Sequence, residues 1–137
     1  MLTIVDQSLR GRLILDPTKS QPLDAHLNYQ RADPLAVRLS FPAAVSLAGG
    51  AVAWVFGRDL LDLGLREPAG DGDVHVWPDG PERTLVEFVS PQGTALIEFH
   101  TRDLRDFLRR SYATVPAGQE GEYLDLDSAL MGLFDDA

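Results

Sequence analysis

The chain has no cysteine among its 137 residues, a single lysine (Lys19), three histidines and no apolar run of 18 residues. Without cysteine there can be no disulfide, no thiolate metal site and no cysteine nucleophile, a composition that fits a reducing cytoplasm. No stretch is long and apolar enough to span a bilayer, and the opening MLTIVDQSLRGR lacks a basic leader followed by an apolar core. Neither membrane insertion nor a secretory signal is therefore expected. His26, His75 and His100 share no ligand spacing with one another or with a pair of carboxylates, so no metal and no cofactor is assigned. Positive charge is scarce as well: 12 basic residues face 21 acidic ones, for a net charge of −9. Six of the carboxylates (Glu120, Glu122, Asp125, Asp127, Asp135, Asp136) follow Gln119 with no base among them, leaving −3 on the first 119 residues. That balance argues against a nucleic-acid backbone as the main partner, which would need clustered Lys and Arg.

What is present suits one globular domain over residues 1–137, with an acidic C-terminal segment, 120–137. A chain of this length buries about 68–70% of its unfolded surface. The stretch 51–65, AVAWVFGRDLLDLGL, organises the rest. Its apolar first half reads as a central strand covered on both faces, and its second half as a short helix stopped by Gly64. The module recurs at 99–106: an aromatic residue, one or two small or polar residues, then Arg-Asp-Leu, any residue, and Asp. At Arg58-Asp59 and Arg102-Asp103 the expected arrangement is structural, with the acid near the helix start and the arginine stem covering apolar surface.

Around these modules, residues 2–15 form a long or broken strand with Gly11 a possible bulge, and 16–22 form a loop rich in Pro, Asp and Ser. Ala25, Leu27 and Tyr29 alternate with polar residues, as do Leu35, Val37, Leu39 and Phe41, so two half-buried strands follow. Residues 73–77 make a short strand before a turn at 78–81. A hairpin over 84–99 turns at Ser90-Pro91-Gln92-Gly93. Thr101 is the expected N-cap of the main helix, whose buried stripe is Leu104, Phe107, Leu108, Ser111 and Tyr112. On its exposed face Asp106 is placed to pair with Arg102 and Arg110. A last amphipathic piece spans 126–134. Seven strands and three helices in this order give an α+β fold of two antiparallel sheet-plus-helix halves.

Chemistry is hard to find. If Ser90 pairs with Gly93, Glu87 lies opposite Leu96 and Glu98 opposite Leu85, so both acids share one face about 7–8 Å apart at Cβ. That spacing overlaps the separation used by inverting glycosidases. No aromatic-lined cleft can be argued around them, however, and serine and histidine are too scattered for a triad. No catalytic residue is assigned.

Several motifs in register, by contrast, are specific. They are Tyr29-x-x-Ala32-Asp33-Pro34-x-Ala36-Val37, Trp54-Val55-Phe56-x-Arg58-Asp59-Leu60-Leu61-x-x-Gly64-Leu65, and Gly70-x-Gly72-Asp73-Val74-x-Val76-Trp77-Pro78. Ser90-Pro91-x-Gly93-x-Ala95-Leu96, Val115-Pro116-x-Gly118-x-Glu120 and Asp125-Leu126-Asp127 follow in the same order. Together they resemble the SsgA-like proteins from about Leu9 onward, departing at residues 43–50 and at the N-terminal residues. The resemblance implies a Whirly-like fold of two repeated halves, assembled as a homotrimer. It implies a cytoplasmic, septal regulator of actinobacterial sporulation division, non-enzymatic, whose partners are FtsZ or another SsgA-like protein. The competing hypotheses are a single-stranded nucleic-acid-binding module and an enzyme. The acidic segment supplies the candidate partner contact, Asp125, Asp127, Leu130, Met131 and Phe134, because apolar anchors inside a charged rim suit docking on a basic-rimmed groove.

Overall fold

Residues 4–42 and 52–124 are described by the computed structural model. The first strand, β1 (Ile4–Asp16), and the second, β2 (Lys19–Gln30), form one long hairpin. Val5, Leu9, Leu13, Leu23, Ala25, Leu27 and Tyr29 alternate inward along it, the period of two that a one-sided sheet requires. The loop expected over 16–22 is only a tight turn, with Asp16 accepting hydrogen bonds from the Thr18 N–H (2.7 Å) and hydroxyl (2.8 Å). Pro22 lies inside β2, opposite Arg12; it is tolerated there because the next strand pairs with β2 only from His26 onward.

Gly11 is not a bulge, since the β1–β2 register runs unbroken past it and slips between Ile14 and Asp16 instead. Glycine is needed for close approach: a Cβ would lie 2.8 Å from the Glu98 carbonyl oxygen and from the Phe99 ring. In β3 (Asp33–Phe41), Val37, Leu39 and Phe41 point inward as expected. Leu35 does not. It is 48% exposed and Pro34 is buried in its stead, beside a register slip between Asn28 and Gln30. The strand β4 (Val52–Gly57) corrects a larger expectation: among the described residues it lies at the edge of the sheet, paired with β3 alone, and Val55 is 52% exposed.

Helix α1 (Arg58–Gly64) follows at once. Gly64 is its last residue rather than a stop beyond it. A Cβ there would lie 2.3 Å from Val76 Cγ1, so packing selects glycine at this point.

The second half repeats the plan with β5 (Val74–Asp79), β6 (Arg83–Ser90), β7 (Gly93–His100) and α2 (Thr101–Thr114). β5 continues through Trp77 to Asp79, past the expected start of the turn. The β6–β7 hairpin closes at Ser90–Gly93, with Glu87 opposite Leu96 and Glu98 opposite Leu85, in the expected register. The N-cap of α2 is His100, and the Thr101 hydroxyl is 2.8 Å from that of Thr84 instead of capping the helix. Leu104, Phe107, Leu108 and Ser111 form the expected buried stripe. On the outer face Asp106 pairs with Arg109 at 2.7 Å, whereas Arg110 reaches back to Gln7 of β1.

The seven strands of the described residues form one antiparallel sheet in the order β4-β3-β2-β1-β7-β6-β5. Within the sheet, the halves β1–β4 with α1 and β5–β7 with α2 are joined at β1 and β7, where Arg12 pairs with Glu98 and Leu13 with Ile97. The sheet curls so far that Phe88 of β6 packs on Phe41, Trp54 and Phe56, with ring centroids 5.9, 5.0 and 6.2 Å away. This is the α+β arrangement of two sheet-plus-helix halves expected from the sequence. Residues 120–124 begin a further helical turn.

Candidate functional site

The most unusual side chain inside the molecule is Arg58, the first residue of α1, which is 1% exposed. Its guanidinium donates from Nη1 to the carbonyls of Ser111 (3.2 Å) and Val115 (2.8 Å), and from Nη2 to Glu120 (2.6 Å). It lies over the rings of Tyr29 (4.8 Å) and Tyr112 (4.3 Å), an arrangement suited to a flat, weakly hydrated cation. Among the described residues Nε has no hydrogen-bond partner.

The centre shifts its neighbours. The Arg58 hydrogen bond holds the Glu120 carboxyl below its ordinary range, and burial pushes the Tyr29 hydroxyl up to about 12. Burial also raises Tyr112, helped by its hydrogen bond to Asp62. Arg58 thus fastens α1 to the C-terminal end of α2 and to the first residue of the acidic segment. Arg58 is structural, as expected, but it is buried head and stem rather than covering apolar surface from outside, and Glu120 is buried with it. The two residues are 62 apart in the chain. No local spacing could join them, although both stand in the motifs that carry the family resemblance.

Other constellations are surface features. Glu87 is held by His75 at 3.0 Å and Glu98 by Arg83 at 3.3 Å, so each of the two glutamates on the shared face has its own basic partner. Folding does assemble a serine, histidine and aspartate that sequence spacing missed: His26 lies 3.4 Å from Ser8 Oγ and 3.1 Å from Asp6. These stand exposed on β1 and β2, and Asp6 also accepts from Asn28 at 2.6 Å, so they form a polar ladder across the strands. Among the described residues no group of three or more His, Asp or Glu side chains could hold a metal.

A cleft of about 400 Å³ opens where β1 and β7 part, lined by Arg10, Arg12, Arg83, Glu98, His100 and Asp103 among others. Each arginine is already engaged, Arg10 with Asp24, Arg12 with Ser20 and Arg83 with Glu98, and no Phe, Tyr or Trp lines the cleft. A single-strand groove needs free cations and stacking rings together. The residues singled out in the acidic segment, Asp125, Asp127, Leu130, Met131 and Phe134, lie outside the described residues.

A curled sheet whose buried Arg58 ties its helices together, and whose Glu87 and Glu98 each meet a neighbouring base, has the build of a scaffold. Its relationships agree. Residues 23–120 match the family model described as Streptomyces sporulation and cell division protein, SsgA. The chain is 43% identical over 133 residues to the sporulation-specific cell division protein SsgB of Streptomyces coelicolor, covering 95% of each. It is 44% identical over 131 residues to SsgB of Salinispora tropica, covering 93% of this chain and 91% of that protein. The crystal structure of an SsgA-like sporulation-specific cell division protein from Thermobifida fusca superposes with a TM-score of 0.83 at 34% identity, over 95% of both chains. The chain belongs to the SsgA/SsgB family of sporulation cell-division proteins. Membership places it among regulators of division rather than among enzymes.

Proposed function

We propose that this protein is a non-enzymatic adaptor of sporulation-specific division that helps to localise or support FtsZ and the septum machinery. The observation that carries the reading is the 43% identity to an SsgB protein across 95% of both chains. On this reading the protein works in the cytoplasm at the septum, as a homotrimer, with residues 1–137 acting as one domain. The fold is compatible with a soluble adaptor, since no helix among the described residues is long and apolar enough to cross a membrane. The acidic segment, with Asp125, Asp127, Leu130, Met131 and Phe134, is the proposed partner contact. Arg58 supports this reading by anchoring Glu120, the first residue of that segment.

The test is to delete the gene in its native host and follow fluorescent FtsZ in sporulating cells. Loss of regular septal ladders, restored by the full chain, is the expected result; undisturbed ladders overturn the proposal. Truncation after Leu124 then separates two roles. A folded protein that no longer supports ladders places the contact in the segment, and full complementation removes the contact from it.

A further inference from the structure

We propose that the free edge of β4 takes up a short, extended, basic segment of a partner protein as an added strand. The sheet ends in two edges, β4 and β5. The β5 edge is blunted by its own preceding loop, where Ala69 and Val76 exchange two backbone hydrogen bonds of 2.8 and 3.0 Å. β4 has no such cover among the described residues, and its sequence VAWVFG carries no charge, proline or bulge to discourage pairing. Alternate residues of an antiparallel edge direct their N–H and C=O groups outward, and these are available to a strand laid alongside.

A groove of about 600 Å³ runs along this edge, walled by α1 on one side and the 69–74 loop on the other. Its floor and walls include Trp54, Phe56, Leu60 and Leu63, of which Leu63 is 39% exposed. The edge is held in place from behind, since the Trp54 ring packs on Phe88 at 5.0 Å. The loop wall is held too. Gly70, at φ +106°, sits so close to β5 that a Cβ would lie 2.3 Å from the Val74 carbonyl oxygen.

The charge of the groove selects the occupant. Among the described residues its only charged lining residues are Asp71 and Asp73, both exposed, with no basic side chain in the lining. An alternating segment would place apolar side chains between Trp54 and Leu63 and basic ones toward the aspartates. A second copy is the poorer fit. Symmetric pairing of two β4 edges would set the same aspartates of both chains against one another, on molecules that each carry −9. The site serves the adaptor role proposed above, but it is tested on the purified full chain, so failure of either leaves the other standing.

The probe is a fluorescein-labelled eight-residue peptide alternating valine and arginine, followed by anisotropy. Controls are the same peptide with glutamate for arginine, and one with proline at a central valine. The expected result is saturable binding by the first and binding at least about tenfold weaker by both controls. The double variant Asp71→Lys, Asp73→Lys weakens the arginine peptide about tenfold, the effect of losing two rim charge pairs of about 0.7 kcal/mol each. Leu63→Lys, at an exposed position, weakens it as well. Hydrogen exchange of amides 52–57 slows on adding the arginine peptide and is unchanged by the controls. No saturable binding, equal affinity for the glutamate peptide, indifference to the charge reversal, or an edge already protected by self-association each overturns the proposal.

Discussion

The two halves of the molecule use the same aromatic-to-helix junction and fill its first helical position differently. In the first half Phe56 is followed by Gly57 and then by Arg58 as the first residue of α1. In the second, Phe99 is followed by His100 and then by Thr101 as the first residue of α2. The extra residue before Arg102 moves that arginine one step along the helix, a rotation of about 100°. Arg102 therefore faces solvent, and Thr101 occupies the place equivalent to Arg58. Leu61 and Leu104, each the fourth residue of its helix, remain matched and buried. A repeat in sequence is thus offset by one residue from the repeat in structure. One half closes its junction with a pair of hydroxyls, Thr84 and Thr101, and the other with a cation whose hydrogen-bond partners all come from beyond residue 110.

This difference can be broken most forcefully at Arg58. Arg58→Ala leaves Glu120 and two carbonyls without their donor and vacates the space between Tyr29 and Tyr112. A loss of about 3–5 kcal/mol is expected in denaturant unfolding followed by circular dichroism. Arg102→Ala, made as its counterpart by sequence, changes stability by about 0.5 kcal/mol or less. Next in size is Gly64→Ala, which drives a methyl into Val76 and costs about 1–3 kcal/mol, read as a fall in the denaturant midpoint.

The Thr pair sharpens the contrast. Thr101→Val alone strands the Thr84 hydroxyl in a buried site and costs about 1–3 kcal/mol, whereas the double Val variant recovers most of it. A double variant as damaged as the sum of the two singles would show that no coupling exists there. The smallest expected effect is on pH dependence. Because the folded Glu120 carboxyl lies below its ordinary value of 4.5, its contribution is fully present above that value and is lost as pH falls through the folded one. Glu120→Gln should therefore flatten the acid limb of a stability–pH curve below about pH 5. An unchanged limb would mean that other carboxylates set it.

Much of the fold was legible because it is local. The Ser90–Gly93 hairpin and the placing of Glu87 and Glu98 on one face follow from turn chemistry and a period of two. The buried stripe of α2 follows from a period of 3.6. What misled was context that sequence does not carry. The run 51–56 is apolar on both faces, which describes a central strand and equally an edge strand with one open face. Pro22 signals a loop, yet stands in a strand whose outer neighbour starts four residues later. Arg58 looks like a surface cation at a helix start, because nothing within a few turns of it reveals Ser111, Val115 or Glu120. The partner contact was legible least of all, since the residues named for it rest on charge and hydrophobicity alone.

The long reach of Arg58 also sets an order of events during synthesis. A ribosome that has released residues 4–64 has made four strands and α1, but none of the carbonyls or the carboxylate that receive the guanidinium. The charge has to stay hydrated until residue 120 emerges, so the junction cannot close on the nascent first half and must be finished last. Those hydrogen bonds therefore form only on a chain nearly twice as long as the first half.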